Sequence, residues 1–194
     1  MTRKSVNRLK LVLLALAVAS APKAVGQEMG LKTNLLYWGT TTPNLGFEMQ
    51  TGEKHTVQLF YGWNPWRFSD SKKLRHWVVQ PEVRHWFCHT FNGWFVGAHL
   101  MGGQFNAGGI KMPFGLLKNF ADNRYEGWFV GGGVTAGYQW PLSKHLNLET
   151  SIGLGYDYLK YDKYKCEHCG TKQHEASRNY VGPTKAALEL IYMF

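Results

Sequence analysis

The sequence predicts an all-β protein, an eight-stranded antiparallel transmembrane β-barrel of the bacterial outer-membrane kind, preceded by an N-terminal signal peptide. Three observations predict it. Apolar and polar residues alternate with period two in one segment after another. The links between segments alternate short and long, as do the periplasmic turns and outside loops of such barrels. The tryptophans fall at segment ends and never at a centre, where the two aromatic girdles belong.

Composition narrows the class further. The chain has 194 residues, the size of one domain. Aromatic residues reach 15% and glycines number 22, while charged residues make up only 18%. A mean hydropathy of −0.31 excludes a bundle of membrane helices. Lys+Arg 22 against Asp+Glu 13 gives +9 at pH 7. A protein binding nucleic acid by charge alone would show more Lys and Arg, clustered on one face, so no nucleic-acid partner is expected.

Residues 1–26 read as a secretory signal peptide. Arg3, Lys4, Arg8 and Lys10 come first without an acid, residues 11–19 are an unbroken apolar run, and Ala24 and Gly26 are spaced for a signal peptidase. Cleavage is expected before Gln27, with cleavage after Ala21 as the alternative. That leaves residues 27–194 as the barrel domain. With Lys23, the leader holds five cations, so the mature charge falls to +4. No later stretch reaches about 18 apolar residues, so no membrane helix follows.

Eight strands of about ten residues are predicted, near 30–38, 44–51, 55–63, 76–87, 93–103, 128–140, 146–157 and 186–194. Short links at 52–55, 88–92 and 141–144 are the inner turns; long links at 64–75, 104–126 and 160–182 are the outer loops. Only the first link, 40–43, breaks the alternation. An even strand count puts both mature termini in the periplasm and the long loops outside the cell. Trp38, Trp63, Trp77 and Trp128 then mark outer strand ends, and Trp86, Trp94 and Trp140 inner ones, with Trp66 just inside a loop. Pro81 removes a ladder hydrogen bond and predicts a bulge in the fourth strand.

The face opposite the apolar one should line the interior. It carries Lys32, Arg84 and Lys185 with Glu48, Glu82, Glu149 and Glu189, and amides such as Asn34, Gln58, Gln80 and Gln139. Buried charges must be compensated, so a paired network is expected, filling the interior as a polar plug rather than leaving a pore. Inward glycines leave room for the long charged groups.

Few motifs carry chemistry. Cys166 and Cys169 form a C-x-x-C pair in a polar link, and in a secreted chain such a pair most simply closes a disulfide. A zinc site from Cys166, Cys169 and His174 is the alternative, with three ligands and no clear fourth unless His168 joins; otherwise no cofactor is expected. A redox role lacks a βαβ context. Cys88, at an inner turn across the membrane, should pair with neither. His99, Ser151 and Glu149 raise the question of a nucleophile, base and carboxylate, but their spacing shows no convergence. The long loops are basic and aromatic, which suits lipopolysaccharide head groups or an acidic partner. Leu190, Tyr192 and Phe194 alternate up to a terminal aromatic, which resembles the signal read by the outer-membrane barrel-assembly machinery.

The strings 32–37 (KTNLLY), 41–44 (TTPN), 63–66 (WNPW), 68–70 (FSD), 161–164 (YDKY), 166–170 (CEHCG) and 182–185 (GPTK) resemble a bacterial domain-of-unknown-function family of small outer-membrane barrels. The resemblance covers nearly the whole mature chain. Members are often encoded beside fimbrillin genes, which implies a structural or interaction role at the cell surface, associated with fimbriae or other surface proteins, and assigns no catalytic residues. The alternatives are an enzyme acting on outer-leaflet lipid and a small ligand-binding or transport barrel.

Overall fold

A computed structural model describes residues 28–69, 72–108, 124–164 and 172–194. Its elements, in chain order, are β1 (Met29–Asn34), a short helix α1 (Leu35–Gly39), β2 (Asn44–Gly52), β3 (His55–Asn64), β4 (Arg67–Ser69), β5 (Lys72–Trp86), β6 (Gly93–Gly108), β7 (Arg124–Pro141), β8 (Leu146–Tyr164) and β9 (Lys172–Met193). All pairings are antiparallel. Neighbouring strands pair in sequence from β5 to β9, β1 joins β9 to β2, and β3 reaches past the three-residue β4 to pair with β5. Eight strands therefore close one ring-like sheet. The tight link at 53–54 and the turns at 87–92 and 142–145 share one end with Met29 and Met193, here the short-turn end.

Four details differ from the sequence reading. The first strand stops at Asn34, because Asn34 caps a helix instead: its side-chain carbonyl accepts from the Leu36 amide at 3.0 Å. The first long-end link therefore spans α1 and the residues up to Asn44, and the break in the short–long alternation disappears. Strands β6 to β9 run 16 to 22 residues, not ten. Much of what reads as loop is thus two-stranded ribbon, polar on both faces, where alternation has no apolar side to show it. Pro81 makes no bulge: the register of β5 on β6 is the same on both sides of it, with pairing merely interrupted between Val79 and Glu82. A bulge lies instead in β9, where Gly153 pairs with Lys185 and Leu154 with Pro183, so Thr184 is the extra residue. Finally, Trp86 is fully buried inside the ring rather than facing outward.

Burial is inverted relative to a water-soluble sheet. Among the described residues, twenty polar or charged ones are buried, Lys32, Glu48, Arg84 and Glu149 among them. Large apolar residues at strand centres are exposed: Leu59, Leu100, Val134, Ile152 and Leu154. Inside, the short-turn end has a hydrophobic floor. Trp86 packs on Phe95 at 4.8 Å between ring centroids and on Phe91 at 5.9 Å, and Phe91, Ile191 and Met193 complete it. The Trp86 indole donates to Thr56 Oγ1 at 3.0 Å, and Asn147 Nδ2 donates to the Phe91 carbonyl at 3.2 Å.

At the opposite end α1 folds against the interior, with Tyr37 edge-on to Phe60 at 5.2 Å. An amide clasp holds this corner. Asn44 Oδ1 accepts from the Asn34 backbone at 2.6 Å, and its Nδ2 donates to the Asn34 and Thr42 carbonyls, each at 3.1 Å. Asn44→Ala leaves these buried backbone groups without partners. It is expected to lower unfolding stability by about 1–3 kcal/mol, read as a shift in the denaturant midpoint of the folded protein.

Candidate functional site

The interior cluster grows out of the alternation itself. Period two turns every second side chain inward, and five strands contribute seven charges: Lys32 from β1, Glu48 from β2, Glu82 and Arg84 from β5, Glu149 from β8, Lys185 and Glu189 from β9. All seven side chains are buried. Lys32 Nζ contacts Glu48, Glu149 Oε2 at 2.7 Å and Glu189 Oε2 at 3.8 Å. Arg84 donates from Nη1 to Glu48 Oε2 at 3.0 Å and to Glu149 Oε2 at 2.9 Å, and from Nε to Glu82 Oε1 at 3.0 Å. Lys185 Nζ donates to Glu82 Oε2 at 2.5 Å. Thr56 donates to Glu48. The Phe95 ring lies 4.4 Å under the Arg84 guanidinium carbon and joins the charge cluster to the floor.

Glycine makes the space for this. A Cβ at Gly97 would lie 2.7 Å from Glu82 Oε1, and one at Gly153 would lie 2.9 Å from the Lys185 Cβ. Either side chain would push into the cluster.

The cluster occludes the ring. Arg84 reaches carboxylates on three strands, and the floor seals one side. On the other side a cavity of about 40 Å³ lies between Glu189, Lys185, Gln80, Asn34 and Tyr37, a volume suited to little more than water. Of its lining residues, Glu189 Oε2 and Gln80 Nε2 have no hydrogen-bond partner, and neither do Glu149 Oε1 and Arg84 Nη2 within the cluster. Burial, and secondarily the Glu189 carboxylate, push the Tyr37 phenol up, so it keeps its proton and remains a donor at this rim.

His99, Ser151 and Glu149 do not assemble into a catalytic set. His99 hydrogen-bonds Thr135 Oγ1 at 2.8 Å and Thr184 Oγ1 at 2.9 Å through its two ring nitrogens. Glu149 is held by Lys32 and Arg84, and the Ser151 hydroxyl has no hydrogen-bond partner. This His99–threonine bridge escapes the sequence reading because Thr184 sits on the unforeseen bulge.

Cys166 and Cys169 lie outside the described residues, and so does the side chain of His174. Cys88 is a free, exposed thiol in the β5–β6 turn. Among the described residues no group of three or more His, Cys, Asp or Glu is arranged to hold a metal ion. Leu190 and Tyr192 lie on the outward face of β9 and Phe194 just follows the strand, with Tyr192 and Phe194 exposed and their rings stacked at 6.4 Å.

Trp63 and Trp128 are exposed toward the long-link end, Trp94 and Trp140 toward the short-turn end. Three other tryptophans use their polar handles locally: Trp77 Nε1 donates to Gln104 at 3.2 Å, Trp38 Nε1 to Thr33 at 2.8 Å, and Trp66 Nε1 to the Thr41 carbonyl at 2.9 Å.

Fold and site together define a class: a small closed antiparallel β-ring with a charge-filled interior and an apolar exterior. Within it, the chain belongs to the family described as Protein of unknown function (DUF3575), whose model matches residues 11–194. No curated protein matches the chain.

Proposed function

We propose that this protein is an outer-membrane β-barrel with a structural or interaction role at the cell surface, associated with fimbriae or other surface proteins. One observation carries the membrane part: charges are buried and mid-strand aliphatic residues exposed all round a closed ring. Water would penalise that arrangement; a hydrocarbon layer about 30 Å thick requires it. Four exposed tryptophans in two bands above and below the aliphatic belt suit the two interfaces. The leader at 1–26 and the terminal Leu190, Tyr192 and Phe194 suit export and handling by the barrel-assembly machinery. In this reading the short-turn end and both mature termini face the periplasm, and the long β-ribbons stand outside, against lipopolysaccharide.

The interaction role follows from what fills the ring. The Arg84 cluster and the Trp86 floor leave no passage for a solute, which argues against transport. His99 bonded to two threonines gives no activated nucleophile, which argues against lipid chemistry at that site. What remains for the outside is the tall ribbons of β6 to β9, a display surface. The family resemblance supplies the fimbrial association.

Labelling tests the orientation. In a chain with Cys166→Ser and Cys169→Ser, a membrane-impermeant maleimide is expected to leave Cys88 unmodified in intact cells and to modify it once the outer membrane is opened. Adding Thr41→Cys, on the exposed first link, should give labelling in intact cells. The reverse pattern, or a mature chain recovered in the soluble periplasm without heat-modifiable gel mobility, overturns the placement. Crosslinking on intact cells tests the role, and retrieval of no surface protein with the ribbons overturns it.

A further inference from the structure

The outer wall of the ring is not uniformly convex. A groove of about 530 Å³ crosses it, lined almost wholly by apolar side chains except at one end. Its floor is one row of facing residues across five strands: His55 opposite His85, His85 opposite Val96, Val96 opposite Ala136, and Ala136 opposite Ile152. The small Ala98 and Ala136 form its trough, and Val83 and Leu154 stand along it.

The row is oblique to the ring. His55 opens β3 beside the 53–54 turn, whereas Ile152 lies well inside β8, which begins at Leu146. Strands in such rings tilt by about 35–45°, so the groove starts at the short-turn rim and climbs to mid-height. Four interstrand steps of about 4.8 Å separate His55 from Ile152, and at that tilt the row climbs about 11–14 Å, close to half of the roughly 30 Å hydrocarbon core. The groove therefore climbs about as far as one leaflet is thick.

Its rim end is polar. His55 Nε2 and His85 Nδ1 are hydrogen-bonded to each other at 3.0 Å, both rings exposed, and each keeps its second nitrogen for another partner. Lys54 Nζ lies in the adjacent turn, within 3.4 Å of the Phe87 carbonyl and exposed. Glu53 shares that turn. A cation and two imidazoles at headgroup level, continuous with an apolar trough one leaflet high, complement an anionic amphiphile.

We propose that this groove holds one phospholipid of the inner leaflet, with its phosphodiester at His55, His85 and Lys54 and one acyl chain along Ala98, Ala136 and Ile152. The inference rests on the outer-membrane reading. A bound lipid of this kind would fix the rotational setting of the barrel in its membrane and fill a depression that freely exchanging lipid packs poorly.

The test uses the folded full-length mature chain in detergent, titrated with dioleoyl phosphatidylglycerol and followed by native mass spectrometry. One lipid per chain is expected. Ala136→Phe and Ala98→Phe, both on exposed outer positions, should weaken retention about tenfold by filling the trough, and the His55→Gln/His85→Gln pair about tenfold by removing the phosphate contacts. Val130→Phe, outside the groove, should change nothing. Equal lipid retention by the wild type and both groove-filling variants overturns the site. Oleate bound as tightly as the phospholipid overturns the phosphodiester assignment, and a lipid-insensitive dimer lost in Ala136→Phe assigns the groove to a second copy instead. Heat-modifiable gel mobility of each sample separates the two levels. A chain without it refutes the barrel, whereas a heat-modifiable chain with unselective lipid binding refutes only the groove.

Discussion

Arg84→Met is expected to destabilise the protein by about 3–5 kcal/mol, the cost of breaking a buried ion pair by removing one partner. The guanidinium holds Glu48, Glu82 and Glu149 at 2.9 to 3.0 Å. Lys32 still reaches Glu48 and Glu149 in the variant, and Lys185 still reaches Glu82. Two ammonium groups then face four buried carboxylates, where three cations faced four before. Methionine restores most of the volume, so the loss is one of charge compensation rather than packing, apart from the contact with Phe95. Arg84→Lys should recover only part, because a single ammonium cannot form the planar fork that bridges carboxylates on three strands.

A double substitution isolates the cause. Adding Glu149→Gln to Arg84→Met removes one of the stranded charges, and the pair should cost about 1–3 kcal/mol less than the sum of the single variants. Denaturant midpoints of the protein folded in detergent or lipid, with heat-modifiable mobility as the measure of the folded fraction, provide the numbers. A midpoint for Arg84→Met equal to that of the wild type would show that the cluster is not closed as described.

The interior was legible because alternation is unambiguous where one face is apolar. Once Leu148, Thr150, Ile152 and Leu154 are placed outward, Glu149 must point in, and the same parity assigns Lys32, Glu48, Glu82, Arg84, Lys185 and Glu189. The structure brings these seven into one cluster. Parity also explains the one misplaced tryptophan. Trp86 shares its parity with Glu82 and Arg84 and therefore faces inward, but its position at a strand end reads as a girdle. The helix at Leu35–Gly39 was hidden because its apolar residues prolong the strand pattern; only Asn34, a good cap two residues before Leu36, marks the change. The extensions of β8 and β9 are illegible for the opposite reason. Residues 158–164 and 172–180 have polar groups on both faces, so period two has no contrast to register. Thr184 in the bulge, and with it the two-threonine cradle of His99, depends on Pro183 interrupting the ladder, an effect the sequence equally allowed at Pro81.

Val134→Arg tests the exterior as Arg84→Met tests the interior, and it separates two physical worlds. Val134 is 66% exposed and lies midway between Trp128 and Trp140 on β7, opposite Ala98 and Leu154 on its neighbours. On the surface of a protein in water, a polar replacement at so exposed a strand position usually moves stability by no more than about 0.5 kcal/mol. At the midplane of a bilayer, an arginine on the lipid face costs about 2–4 kcal/mol, falling to about 0–1 near the interfaces. The expected result is the larger value for Val134→Arg, and a smaller one for arginine at Tyr138, four residues nearer the short-turn interface. Equilibrium folding into lipid vesicles measures both. The depth dependence carries the argument, since general damage to the sheet would not shrink toward the interface. Equal, small effects at the two positions would mean that the exposed aliphatic belt meets water, and the inverted burial of the ring would then need another solvent-excluding partner around its whole circumference.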